Sequence, residues 1–257
     1  MLIATQSAPQ AQAEEWFTSP LGRYLLECEH RYIDHEVADV FGFNALQLGL
    51  PSYDFLRASR IPLKCGIAPF GPVALRAEFR DLPIASNSVD LLLLPHGLEF
   101  SEYPHQILRE VQRVLMPEGH AVIACFNPWS LWGLRRLFSR ARDAYPWGGR
   151  FINLPRLKDW LALLELEIVA GRMGCYLPPC SQDKWLERFR FMDAAGDRWW
   201  PIAGGVYFLH VVKRVRGMRV IMPMWREQLA RKRNLAAVPK TQDSDEPIAA
   251  RESIKTQ

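Results

Sequence analysis

His96 and Glu99 stand three positions apart just after the apolar run Val89–Leu94, and no other pair in the chain is better placed to move a proton. An unperturbed imidazole ionises near neutrality, so His96 is the first candidate for a general base and Glu99 the second. The competing reading packs His96 against a sheet edge and has Glu99 cap the next helix. Gly49, alone between Leu48 and Leu50, reads as a turn after a strand. Glu78 reads as a surface carboxylate at a strand end, and Asn127-Pro128 as a turn. From Trp129 to Arg150, aromatic residues (Trp132, Phe138, Tyr145, Trp147) alternate with arginines 135, 136, 140 and 142. This mixture suits stacking on nucleic-acid bases or a membrane interface. It equally suits a helix whose Leu131, Leu134, Phe138 and Ala141 face the core with arginines outside. Trp199-Trp200-Pro201 is either a substrate wall or core packing. The chain has no Gly-x-Ser-x-Gly elbow, P-loop or His-Glu-x-x-His, so hydrolase, kinase and metalloenzyme readings gain no support.

These residues need a scaffold, and the bulk composition bounds it. With 257 residues, 49% hydrophobic and 23% charged, the chain fits one large α/β domain with appendages. The five cysteines include no Cys-x-x-Cys pair, which points to a reducing, cytoplasmic setting and no structural metal. Residues 1–15 lack the charged start and apolar stretch of a signal peptide. No apolar run nears the ~20 residues of a membrane span. The net charge of +4 is unevenly spread. Lys213–Arg233 holds eight Lys/Arg and the single acid Glu227. That stretch is either a solvated basic helix or a surface for an acidic partner or nucleic acid, with Arg231, Lys232 and Arg233 at its end.

Along the chain, residues 1–18 are expected to be flexible. Ser19-Pro20 caps a helix running to about Val40. Strands are expected at Asn44–Gly49, Ile61–Cys65, Val73–Phe79, Asp90–Pro95, Ala121–Phe126, Leu166–Arg172 and Val206–Lys213. Helices are expected at Tyr53–Ser59, His105–Leu115, Leu131–Ala144, Arg156–Leu164 and Gln182–Ala194. Strands alternating with helices imply a doubly wound, mostly parallel sheet over residues 19–215. A basic helix over 216–238 and a disordered tail over 239–257 would follow.

The middle of the chain adds a resemblance. Glu78-Phe79, then Leu82-Pro83, Asn87-Ser88, Asp90 with its apolar strand, Pro95-His96-Gly97-Leu98-Glu99-Phe100, and Leu108–Gly119 with its Pro-x-Gly stop follow in that order. This order resembles the class I S-adenosylmethionine-dependent methyltransferases, closest to the type 11 branch. The resemblance implies a Rossmann-like, seven-stranded-type sheet and S-adenosyl-L-methionine as cofactor. It implies cofactor contacts from Leu48, Gly49, Leu50, Glu78, Phe79, Pro95 and His96, with His96 and Glu99 beside the transferred methyl group and Asp90 holding the strand entrance. The glycine motif departs from the family: Gln47 replaces the acid, and Pro51 and Tyr53 occupy the next two glycine positions. The segment Ile61–Cys65 offers no acid for the ribose hydroxyls, an omission of about 1.5–3 kcal/mol in cofactor affinity. The expected function is methyl transfer from S-adenosylmethionine to a small-molecule, RNA or protein acceptor. The alternatives are an inactive methyltransferase-like scaffold with a basic interaction surface, and a nucleic-acid-binding module.

Overall fold

Why the chain buries what it buries is clearest at strand Val89–Pro95, where alternate residues face opposite layers. Leu91 and Leu93 enter one core and Leu92 and Leu94 the other. A strand apolar on both faces has to lie between two layers of helices. The computed structural model describes residues 7–139, 144–180 and 182–215. The stretches 216–238 and 239–257, and with them Arg231, Lys232 and Arg233, lie outside the described residues, as do residues 140–143.

The order of elements is α1 (Ser7–Phe17), α2 (Pro20–Ala38), β1 (Asn44–Leu48), β2 (Leu63–Ala68), β3 (Leu75–Arg76), β4 (Val89–Pro95), α3 (Pro104–Val114), β5 (Leu115–Phe126) and α4 (Leu131–Phe138). Then come α5 (Leu154–Leu163), β6 (Leu166–Gly174), α6 (Asp183–Phe189), α7 (Phe191–Trp199) and β7 (Val206–Lys213). The seven strands form one sheet in the order β3-β2-β1-β4-β5-β7-β6. Only β7 runs antiparallel to its neighbours β5 and β6. The order in which strands are added reverses between the parallel neighbours β1 and β4, which leaves a crevice at their carboxyl ends.

One face of the sheet packs on α1 and α2, the other on α3 and α5. Ser19 caps α2, its hydroxyl accepting the Gly22 N–H at 3.1 Å, with Pro20 in the first turn. Asp90 ties the start of β4 to that of β1, accepting the Phe43 and Asn44 N–H groups at 2.8 and 2.9 Å.

Several expectations are corrected. Residues 7–17 form a packed helix where a flexible segment is expected: α1 buries Ala13 and Phe17, and it lies so close to α2 that a Cβ on Gly22 would sit 2.3 Å from the Trp16 carbonyl oxygen. Packing of Trp16 and Phe17 on Tyr145 outweighs the polar character of the segment. Tyr53–Ser59 forms turns instead of a helix, because Gln47 captures its backbone. β2 begins and ends later than Ile61–Cys65, and β3 shrinks to a two-residue pairing with Ile67 and Ala68. Gln182–Ala194 is two helices broken at Arg190. α4 ends at Phe138.

Candidate active site

The carboxyl ends of β1 and β4 carry the loops that shape the candidate cleft. After β1 the backbone turns through two left-handed residues, Gly49 at φ 92° and Leu50 at φ 48°. Glycine adopts this conformation without strain, and a Cβ there would also touch the Phe79 ring at 3.4 Å. Gln47, standing where the family places an acid, is consumed in holding this loop. Its amide donates to the carbonyls of Gly49, Leu50 and Tyr53 at 3.1, 3.1 and 2.7 Å, and its oxygen accepts the Phe55 N–H at 3.0 Å.

Gly49, Leu50, Glu78, Phe79, Pro95 and His96 line one cleft together, as the sequence predicts for all the cofactor candidates except Leu48. Leu48 is fully buried in the core beneath. The end of β2 reaches the cleft at Pro69 rather than Cys65, and it too brings no acid. Neither Pro51 nor Tyr53 lines the cleft. Its remaining wall comes from Ala13 on α1, Gly97, Phe100 and Tyr145. With α1 in this position the cavity measures about 70 Å³, against several hundred for a site that holds a drug-sized ligand.

Beneath the cleft lies a buried cluster of charge. The His96 ring donates through Nε2 to Glu29 Oε1 on α2, and through Nδ1 to Glu99 Oε1 at 3.1 Å. Glu99 Oε1 also accepts the Phe126 N–H at 2.7 Å. All three side chains are essentially excluded from solvent, and the imidazole stacks on Phe126 with centroids 4.0 Å apart. Burial alone would lower the imidazole pKa. The charge of Glu29 and the hydrogen bonds from both carboxylates outweigh it and push the value up to about 10. His96 is therefore an imidazolium at neutral pH, with both nitrogens donating. An imidazolium has no lone pair to offer, which weighs against the general-base role. Glu99 does not cap a helix either, since it serves His96 and Phe126. Glu29 Oε2, Glu99 Oε2 and the Tyr145 hydroxyl are buried with no hydrogen-bond partner. Burial, with Glu29 and Glu99, holds the Tyr145 hydroxyl well above the ordinary tyrosine range, so it stays neutral.

Glu29 escaped the sequence reading although a signal existed. It lies four residues from both Leu25 and Ile33, an acid on the buried stripe of an amphipathic helix. Tyr145 carries no such periodic mark. Asn127 braces a turn, donating to the Ile202 and Gly204 carbonyls at 2.9 and 3.0 Å. Trp199 and Trp200 are exposed rather than packed in the core.

Residues 59–123 match the family described as methyltransferase domain. The chain is 35% identical over 165 residues to the uncharacterized protein YafS of Escherichia coli (strain K12), covering 63% of this chain and 69% of that one. Its fold overlays a SAM-dependent methyltransferase of Thermotoga maritima, described as a possible histamine N-methyltransferase. The TM-score is 0.59 at 16% identity, over 78% of this chain and 94% of the other. The chain belongs to the class I S-adenosylmethionine-dependent methyltransferases. A demethylmenaquinone methyltransferase of Chlamydia pneumoniae is also similar, 29% identical over 83 residues, 31% of this chain and 35% of that protein. Within this methyltransferase the strand order and the cleft at the β1–β4 reversal follow the family, while the loop after β1 keeps one glycine and uses Gln47 to hold its shape.

Proposed function

We propose that the cleft takes S-adenosylmethionine across Gly49, Leu50, Glu78, Phe79 and Pro95, and that a small acceptor bearing an amine or hydroxyl reaches His96 and Tyr145. One observation carries this reading: Tyr145 lines the same cleft as the cofactor candidates, and its neutral hydroxyl is buried, unpartnered and within electrostatic reach of two carboxylates.

When bound, the cofactor supplies an electrophilic methyl group on a sulfonium, so the protein has chiefly to position the acceptor and deal with its proton. Gly49 leaves room for close backbone approach, and Phe79 offers an apolar wall. Glu78, half-buried beyond β3, is free to accept from a donor on the ligand. The Glu29–His96–Glu99 cluster carries two carboxylates against one imidazolium, so it favours a cationic or proton-donating group nearby. Tyr145 would contact the acceptor's nucleophilic atom, and the open oxygens of Glu29 and Glu99 would take its proton. His96 is the positioning residue that fixes both carboxylates. The burial of Tyr145 favours a small molecule over RNA or protein, and ligand uptake would require α1 to shift from Ala13. Among the described residues no helix is long and apolar enough to cross a membrane. The free thiols of all five cysteines support a cytoplasmic setting.

The test is transfer of an isotopically labelled methyl group from S-adenosylmethionine into fractions of a cell extract, comparing wild type with Tyr145→Phe. Label entering one small-molecule fraction, at a rate at least about tenfold lower in the variant, supports the reading. Transfer untouched by Tyr145→Phe removes Tyr145 from the site, and transfer into protein or RNA alone overturns the small-acceptor reading.

A further inference from the structure

Helix α4 presents the wrong face to water for an ordinary surface helix. It buries Trp132 and Gly133 and exposes Leu131, Leu134, Leu137 and Phe138, the last two at 64% and 79%. This reverses the expectation that Leu131, Leu134 and Phe138 face the core. The orientation is firmly fixed. Trp132 donates its indole N–H to the Leu177 carbonyl at 2.9 Å and packs on Phe126 and Trp147. A Cβ on Gly133 would lie 2.0 Å from the Pro128 carbonyl oxygen, so α4 sits tight on the turn that leads into it.

A second apolar segment lies beside it. The Asn127 bonds to Ile202 and Gly204 join the turn before α4 to the end of α7, and the Asn127 side-chain oxygen accepts the Trp129 N–H at 3.0 Å. Trp129, Trp199, Trp200 and Ile202 are all more than half exposed. The stretch from Asn127 to Ser139 contains two arginines and no acid. Those arginines flank the apolar face: Arg135 donates to the Pro179 carbonyl and lies over Trp147, and Arg136 donates to the Trp147 carbonyl and lies over Phe151. The sequence after β7 adds the run from Arg214 to Arg233, with seven cationic residues and one acid.

We propose that this face docks the protein on an anionic lipid surface. Trp, Phe and Leu side chains on one helical face, bordered by arginine and free of carboxylates, have the chemistry of an element that lies at the headgroup–acyl boundary. A positively charged stretch in the same chain matches the negative surface potential of anionic lipid. The buried side of α4 packs, through Trp132, on the Phe126 that supports His96, so the docked face backs onto the floor of the cleft.

The experiment is co-sedimentation of the full chain with phosphatidylcholine vesicles with and without phosphatidylglycerol, for wild type and for Leu134→Glu/Leu137→Glu/Phe138→Glu. The substituted side chains are exposed, so near-ultraviolet circular dichroism should show an unchanged fold. Docking predicts binding to the phosphatidylglycerol vesicles that weakens with salt and falls at least about tenfold in the triple variant. No sedimentation with vesicles, or equal sedimentation of the triple variant, overturns the proposal. A wild-type dimer in sedimentation equilibrium that the triple variant converts to monomer, without vesicle binding, also overturns it and assigns the face to a second copy.

Discussion

Replacing His96 with glutamine removes the one positive charge between Glu29 and Glu99 while nearly preserving volume. In the wild type the imidazole pKa stands near 10, above its unfolded value of 6.5. The folded protein thus holds one proton more than the unfolded chain between those values. The stabilisation is complete below pH 6.5 and is lost as pH rises through about 10, with a slope of about 1.4 kcal/mol per pH unit from this site. In His96→Gln two buried carboxylates face a neutral amide, and breaking a buried ion pair in this way destabilises by about 3–5 kcal/mol. Urea unfolding followed by tryptophan fluorescence at intervals from pH 7 to 10 measures both proteins. The expected gap between them is widest at pH 7 and closes toward pH 10, as the wild-type imidazole loses its charge. A gap that stays constant across this range, or that is below about 1 kcal/mol at pH 7, would refute the charged-cluster reasoning.

Other changes follow from single contacts. Gln47→Leu removes four hydrogen bonds that hold the loop after β1; unfolding by urea should show a loss of about 2–4 kcal/mol. Tyr145→Phe deletes a buried hydroxyl without a partner, so thermal unfolding should be unchanged or up to about 1 kcal/mol more favourable to the fold, even as methyl transfer falls. Asp90→Ala strips the acceptor from the Phe43 and Asn44 N–H groups and should destabilise by about 1–3 kcal/mol in the same assay.

Much of this fold was legible in the sequence because period and punctuation agree. Ser19-Pro20 starts α2, the unbroken apolar run marks β4 as the centre of the sheet, and β7 has the expected bounds. The carboxyl-end loops follow from that topology, so Gly49, Glu78, Phe79 and His96 could be brought to one cleft from sequence alone. What escaped depends on long-range contacts. Glu29 meets His96 across 67 positions, and no local pattern announces that an acid on an apolar stripe will find an imidazole. The face of α4 was misread because its leucine spacing fits a core helix, whereas Trp132 and Gly133 supply the tighter fit to the body of the protein. α1 was missed because its average character is polar, and three aromatic contacts at its end anchor it. The pKa of His96 is likewise a property of its neighbours, and no local pattern in the sequence carries it.

Calorimetric titration of the folded protein with S-adenosylmethionine tests the central claim most directly, with Gly49→Val alongside. The account predicts one saturable site per chain in wild type and its loss in Gly49→Val, where a branched side chain meets both a left-handed backbone and the Phe79 ring. Absence of binding up to millimolar concentration in the folded wild type, or equal binding by Gly49→Val, would contradict it.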